Sequence, residues 1–337
     1  MQTILITGGA GFIGSNFIPF FLEKNRDCKI VNLDALTYAG DLNNLKEIVT
    51  NSNYSFVKGD ICDRELLEDI FQKNSISGVI HFAAESHVDN SIKNPDAFIK
   101  TNVFGTFNLL DVAKKYWMSA PNIFKKGFEK SRFLHVSTDE VYGTLGKTGL
   151  FTETTPYAPN SPYSASKASS DFMVRSYFHT YGLNVITTNC SNNYGPKQHN
   201  EKLIPTIIRK AISGKEIPIY GDGKNIRDWL YVLDHCKGIE LVYQKGELGE
   251  TYNIGGENER DNLYIANKVC EILDKILPKE NSYKNQISFV KDRPGHDFRY
   301  AINASKIQKE LSWRADENFE TGILKTIQWY LNKYKSI

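Results

Sequence analysis

Cysteine is sparse, and its placement rules out a disulfide scaffold. Cys28, Cys62, Cys190, Cys236 and Cys270 lie far apart and form no CxxC pair, so a reducing, cytoplasmic setting is expected. The seven histidines show no short zinc-ligand spacing, and no metal is expected. Charge of one sign is missing too, because 41 Lys and Arg against 39 Asp and Glu leave a net +2. Such a balance supplies no global field for holding nucleic acid or an anionic membrane, so any anion site must be local. No uninterrupted apolar run reaches membrane length, and no basic segment leads into a signal-type run. Neither membrane insertion nor secretion is expected. Internal repeats are also absent.

What is present is length and rhythm. A chain of 337 residues exceeds the usual single-domain size and predicts two intimately packed lobes. Short apolar strands at Ile4 to Thr7, Ile30 to Leu33, Gly78 to Phe82, Phe133 to Ser137 and Asn184 to Asn189 alternate with segments long enough for crossover helices, the first at Ile13 to Leu22. This is the rhythm of a parallel sheet. It organises residues 1–190 as the predominantly cofactor-binding part. Residues 191–337 are looser and punctuated by Pro and Gly, and read as the predominantly substrate-binding part. Strand-like runs at Asp228 to Val232 and Glu250 to Ile254 are expected to return to either lobe. Residues 119–131, with a Pro, a Gly and several lysines, read as a solvated loop.

Gly8, Gly11 and Gly14 follow the first strand and open an apolar-periodic helix. The first permits a tight turn, the second close pyrophosphate approach, and the third close helix packing. The helix N-terminus offers unpaired N–H groups and a positive dipole end to phosphates. Spacing departs slightly from GxGxxG, but Gly9 keeps the turn permissive. Asp34 ends the next strand twenty residues beyond Gly14, where a carboxylate accepts hydrogen bonds from an adenosine ribose and opposes a 2′-phosphate. NAD is therefore expected rather than NADP. Asp60, after Tyr54 to Val57, either caps the adenine edge or is an exposed loop residue.

Ser161-Pro162-Tyr163 supplies a cap and a first-turn proline for a helix that carries Lys167. Four residues advance about 6 Å and return within about 40° of the starting azimuth, so Tyr163 and Lys167 address one site. A lysine charge and a bound nicotinamide charge would both favour tyrosinate, making Tyr163 a general base. Phe133 to Ser137 runs into Thr138-Asp139-Glu140-Val141-Tyr142-Gly143. Asp139 and Glu140 face one substrate only if the strand stops there, since continued pleating would send them to opposite faces.

With these motifs stand Ala84-Glu85-Ser86-His87-Val88-Asp89, Asn189 to Pro196, Ile226-Arg227-Asp228-Trp229 and Asp292-Arg293-Pro294-Gly295-His296-Asp297. Together they make the chain resemble, over nearly its whole length, the dTDP-glucose 4,6-dehydratase family of the extended short-chain dehydrogenase/reductase superfamily. The resemblance implies a Rossmann-like, doubly wound, mainly parallel α/β sheet with a smaller substrate-binding lobe. It implies NAD as cofactor, with Phe12, Ile13, Ile61 and Ala83 beside the glycines, and dTDP-glucose as substrate. Tyr163 would take the 4-hydroxyl proton, Thr138 would bind the 4-oxygen, and Lys167 would tune Tyr163 and hold the nicotinamide ribose. Glu140 would remove the C5 proton, and Asp139 would protonate the departing 6-hydroxyl before reduction at C6.

Arg227 and Arg293 would bind the diphosphate, with structural ion pairs as the competing reading, and Asn193 is a neutral candidate for the same group. Lys202 and Tyr220 resemble the nucleotide-base pocket, against surface or packing roles. Ser86 and His87 belong near cofactor and sugar or simply cap a helix, and His296 completes the substrate set. A homodimer is implied as well. The alternatives are a UDP-hexose 4-epimerase, which has no need of the Asp-Glu pair, and a non-catalytic NAD-binding interaction protein.

Overall fold

Alternation along the first strand decides the layering of the molecule. The structure, a computed structural model, describes residues 2–335. In β1 (Gln2–Thr7), Ile4 and Ile6 join an apolar cluster with Phe17, Phe21 and Ile239, whereas Leu5 joins another with Leu67, Leu109 and Val174. Successive side chains point to opposite faces, so a single strand feeds two cores. The other strands of this sheet are β2 (Cys28–Asp34), β3 (Tyr54–Lys58), β4 (Gly78–His81), β5 (Arg132–Thr138), β6 (Val185–Cys190) and β7 (Thr251–Ile254). All pair in parallel, in the order β7-β6-β5-β4-β1-β2-β3.

A parallel sheet must be covered on both faces. Helices Phe12–Lys24 and Val232–Lys245 contribute to one core, and helices Arg64–Asn74, Thr106–Trp117 and Pro162–Tyr181 to the other. Strand order reverses at β1, between β2 and β4, which opens a crevice beyond the carboxyl ends of the strands. This is the doubly wound α/β architecture expected from the sequence.

The late segments divide. Thr251–Ile254 returns to the main sheet beside β6. Ile226–Tyr231 instead forms the centre of a three-stranded sheet with Glu259–Asp261 and Asn192–Tyr194. Val232, read as strand, begins a helix. A third apolar cluster, including Ile207, Trp229, Ile265 and Phe319, packs this part of the chain.

The segment expected as a solvated loop at 119–131 is exposed over most of its length, but it is not all loop. Met118–Ala120 and Ile123–Phe124 form a short antiparallel hairpin, turned by Asn122 at φ +61°. Phe124 and Phe128 pack against the second core, and that burial outweighs the polar composition around them.

Trp117 is completely enclosed in the second core, and its indole N–H donates to the Ile76 carbonyl at 2.7 Å. Trp117→Ala should destabilise the fold by about 3–5 kcal/mol, measured by urea unfolding. An unchanged midpoint would mean that the helix layer contributes little to this core.

Candidate active site

The crevice is built first by backbone. Gly8 has φ +72°, and a Cβ there would sit 2.6 Å from the Ala83 nitrogen of the loop after β4. At Gly14 a Cβ would meet the Gly8 carbonyl oxygen at 2.5 Å, so the helix lies directly on the turn. Gly11 begins helix Phe12–Lys24, and no side chain caps that end. The bare cradle and unpaired first-turn N–H groups fit a pyrophosphate. Asp34 is buried, and its two oxygens accept from the Ala10 and Leu36 N–H groups, each at 2.8 Å. It therefore holds the glycine turn in place while lining the crevice.

Every residue assigned to the cofactor from sequence lines this one cleft: Gly8, Gly11, Phe12, Ile13 and Gly14 on the turn, Asp34, Asp60 and Ile61 beyond β2 and β3, and Ala83 after β4. Asp60 is exposed, and its carboxylate accepts from the Cys62 N–H at 2.9 Å. Thr138, Asp139, Glu140, Tyr163 and Lys167 line the cleft's other end, with Ser86, Asn193 and Lys202.

β5 ends at Thr138, and Asp139–Tyr142 turns immediately into a 3-10 segment. The pleat stops where the carboxylate pair needs it to. Asp139 is buried, and its Oδ2 has no hydrogen-bond partner. Burial, followed by the charges of Glu140 and Asp228, holds its carboxyl well above the usual range. Burial also raises Glu140, but Arg293, Arg227 and Lys202 all pull it back. Both carboxyls are thus raised, Asp139 well above its usual range, while Glu140 has three cations to balance its ionised form.

The reactive helix, Pro162–Tyr181, starts with a reciprocal cap. Ser161 Oγ accepts from the Ser164 N–H at 3.0 Å, and Ser164 Oγ accepts from the Ser161 N–H at 3.0 Å. Tyr163 and Lys167 then stand one turn apart and buried. The sequence expects the Lys167 charge and a bound nicotinamide together to favour tyrosinate, and the protein without the nicotinamide shows the opposing influences. Burial and the Glu140 charge push the Tyr163 phenol well up, with partial relief from a hydrogen bond to Thr138. Lys167 Nζ donates to the Val136 carbonyl at 3.0 Å.

The remaining substrate candidates gather outside the cleft lining. Arg293 and Tyr220 both meet Asp89, at 3.4 and 3.2 Å, and His296 meets Asp292 at 2.6 Å. His87 caps helix Val88–Lys93 and lies 3.9 Å from Glu201, and Lys202 Nζ donates to the Ser86 carbonyl at 2.9 Å. Arg227 differs from expectation. Its guanidinium is buried, donating to the Ile226 and Asp297 carbonyls at 2.7 and 2.9 Å and stacking 4.2 Å from the Tyr300 ring. It supports Glu140 by charge from behind. Among the described residues, no group of three His, Cys, Asp or Glu side chains is arranged to hold a metal, and no helix is long and apolar enough to cross a membrane.

Comparison with known proteins agrees with this geometry. Residues 5–326 match the family described as GDP-mannose 4,6 dehydratase. The dTDP-glucose 4,6-dehydratase of Xanthomonas campestris pv. campestris (strain B100) is 57% identical over 334 residues, covering 98% of this chain and 93% of the relative. The chain belongs to the dTDP-glucose 4,6-dehydratase family. The family member from Bacillus anthracis, solved in complex with NAD, superposes with TM-score 0.87 at 49% identity, covering 99% of this chain and 98% of that one. DesIV of Streptomyces venezuelae, a dTDP-glucose 4,6-dehydratase solved with NAD and TYD bound, gives TM-score 0.90 at 41% identity, with 99% and 98% covered.

Two features of the family site escaped the sequence. Asn102 sits in a π-helical segment, Ile99–Gly105, where its side chain exchanges hydrogen bonds with the Glu85 backbone at 2.8 and 3.0 Å and donates to Ser166 at 2.8 Å. It ties the loop after β4 to the reactive helix, and no local pattern announces a π turn. Gly9 is the second. A Cβ there would meet Asn32 Oδ1 at 2.2 Å, so Gly9 is required by packing and does more than loosen the turn.

Lys202→Met should move the Glu140 carboxyl further up, because one of its three balancing cations is lost. The titration is readable by NMR with carbon-13-labelled glutamate. A Glu140 signal titrating at the wild-type pH would remove Lys202 from its environment.

Proposed function

We propose that this chain is an NAD-dependent dTDP-glucose 4,6-dehydratase, producing dTDP-4-keto-6-deoxyglucose. The observation that carries the reading is the adjacent Asp139 and Glu140, one buried so that its neutral form is favoured and the other balanced by cations, at the cleft end that Tyr163 also lines. Elimination of water needs an acid and a base together. A 4-epimerase has no need of this carboxyl pair, and a binding protein would have no use for either carboxyl.

Bound in the glycine cradle, NAD supplies the redox partner that accepts hydrogen with its electron pair from C4 and returns it to C6. The chain does the proton work. Tyr163 accepts the 4-hydroxyl proton, with the Thr138 hydroxyl placed to hold the 4-oxygen. Since burial raises the phenol, the base form depends on positive charge beside it, from Lys167 and the oxidised nicotinamide. Once C4 is a ketone, the C5 proton is acidic enough for Glu140 to take. Asp139, already protonated, gives its proton to the 6-hydroxyl oxygen, which leaves as water. Protonation at C5 accompanies reduction at C6, so the net change is loss of water with no net oxidation.

Residues 1–190 serve the cofactor and residues 191–337 the sugar nucleotide, with Thr251–Ile254 lent back to the first part. Ser86, His87, Asn193, Lys202, Tyr220, Arg293 and His296 receive the nucleotide, and Arg227 acts on its diphosphate and on Glu140 by charge. A cytoplasmic homodimer completes the reading. Ile99, Phe104 and Phe172 are large apolar side chains about half exposed on adjoining helical segments, which supports a dimer surface there. Sedimentation should give twice the chain mass, and a stable single-chain mass at working concentration would overturn that part.

With dTDP-glucose deuterated at C4, the purified protein should yield dTDP-4-keto-6-deoxyglucose carrying the deuterium at C6. The double variant Asp139→Asn, Glu140→Gln should oxidise C4 yet release sugar that keeps its 6-hydroxyl, because amides cannot supply the proton transfers. Dehydration near the wild-type rate by that variant would remove the acid-base assignment. Interconversion of UDP-glucose and UDP-galactose, with dTDP-glucose left intact, would favour the epimerase.

A further inference from the structure

Lys167 is an ammonium donor buried to 4% exposure, and such a charge is costly unless something nearby balances it. One turn along the same helix, Asp171 is buried to 5%. His135 Nε2 lies between them, 3.5 Å from Lys167 Nζ and 3.1 Å from Asp171 Oδ1, an oxygen that has no hydrogen-bond partner of its own. The other oxygen, Oδ2, accepts from the Ser137 and Tyr157 hydroxyls at 2.9 and 3.0 Å. Asn189 in turn donates to the Tyr157 hydroxyl at 3.2 Å. Two hydroxyl donors aimed at a buried carboxylate favour its charged form.

No other group around Lys167 offers a negative charge among the described residues. From β5, His135 is pushed well below its ordinary value by burial and by Lys167, so it is neutral. His81 of β4 is neutral for the same reasons, with His135 adding to them. Burial raises the Cys190 thiol of β6 and the phenols of Tyr142 and Tyr157, leaving these three uncharged, and raises Tyr163 as well, whose charged form is the one Lys167 is there to support. Burial favours the neutral form of Asp139, and Glu140 is balanced by Arg293, Arg227 and Lys202. Glu153, near Tyr142, accepts instead from the Asn253 N–H at 3.0 Å. Asp171 remains, and its charge leads Cys190 among the effects that raise Lys167 against the burial that lowers it.

We propose that Asp171 is a positioning residue that keeps Lys167 in its ammonium form, with Ser137 and Tyr157 holding the carboxylate charged, and so acts on Tyr163 and the cofactor through Lys167. This rests on the reading of Tyr163 and Lys167 as the redox pair. Burial brings the Asp171 carboxyl up to about 7, and the Lys167 charge followed by the Ser137 and Tyr157 hydroxyls works against that rise. Removing the carboxylate lowers the pH at which Lys167 loses its proton.

The test uses the holoenzyme, with single-turnover C4 oxidation and NAD release both followed against pH. Asp171→Asn keeps an oxygen for Ser137 and Tyr157 but removes the charge. Its kcat should fall about tenfold or more while KM for the sugar nucleotide stays within about twofold, and the alkaline limb should move down by roughly one pH unit, equivalent to about 1.4 kcal/mol. NAD release should accelerate at the same lowered pH. Asp171→Glu, which keeps the charge, should return the limb towards wild type. Tyr157→Phe removes one donor from the carboxylate and should reproduce the shift in smaller measure even where Asp171→Asn folds poorly. In a Lys167→Met background, Asp171→Asn should add no further loss of oxidation. A wild-type alkaline limb and kcat in Asp171→Asn, beside an inactive Lys167→Met, would overturn this inference alone. Wild-type oxidation by Lys167→Met would overturn the redox-pair reading beneath it.

Discussion

Because β5 leaves the sheet at Thr138 and turns at once into a 3-10 segment, two consecutive acidic side chains occupy one pocket. A pleated continuation would have sent one of them into a packed face. The same stop places Thr138 beside Cys190 at the end of β6, because the two strands are in register to their last pair. Tyr163 reaches this spot from the helix that crosses between those strands. The chemistry therefore depends on where one parallel strand ends, and that end lies on the side of the sheet where strand order reverses.

Burial then does different work on each ionisable group. Asp139 has an unpaired oxygen and, of the cations, Arg227 alone among its main influences, so desolvation dominates and favours the neutral form. Glu140, its neighbour in sequence, faces Arg293, Arg227 and Lys202. The difference arises from the second part of the chain, which supplies all three cations, so the acid and base are told apart only when both parts are folded together. Asp171 plays the corresponding part behind the helix, where Lys167 would otherwise be a solitary buried charge.

Much of this was legible from residue order. The glycine spacing, the strand after it and Asp34 located one end of the cleft, because turn conformation and close approach demand those residues locally. Tyr163 and Lys167 were legible from helical spacing and from the cap at Ser161. What escaped was set by contacts distant in sequence. Asn102 acts through a π turn, Arg227 is claimed by backbone carbonyls around Asp297, and Lys167 is directed at Val136 rather than at Tyr163. The hairpin at Met118–Phe124 was hidden because two phenylalanines pack against a core assembled from elsewhere. Local patterns carry backbone requirements well; they carry little about which buried partner a long side chain will choose.

The two parts are also stitched across the cleft. Asn16, on the helix that the glycine turn opens, donates to the Pro196 carbonyl at 2.9 Å, and Lys197 donates to the Ser15 carbonyl at 3.1 Å. Five residues on, Lys202 donates to the Ser86 carbonyl at 2.9 Å while contributing to the field at Glu140. One segment thus touches the helix that the glycine turn opens and the loop after β4, and its lysine charge acts on Glu140. Movement of that segment on binding a sugar nucleotide would change the charge around Glu140 and the walls of the cofactor cleft together. The reaction needs that coupling, because an oxidised sugar that escaped before elimination would leave the cofactor reduced and the cycle open.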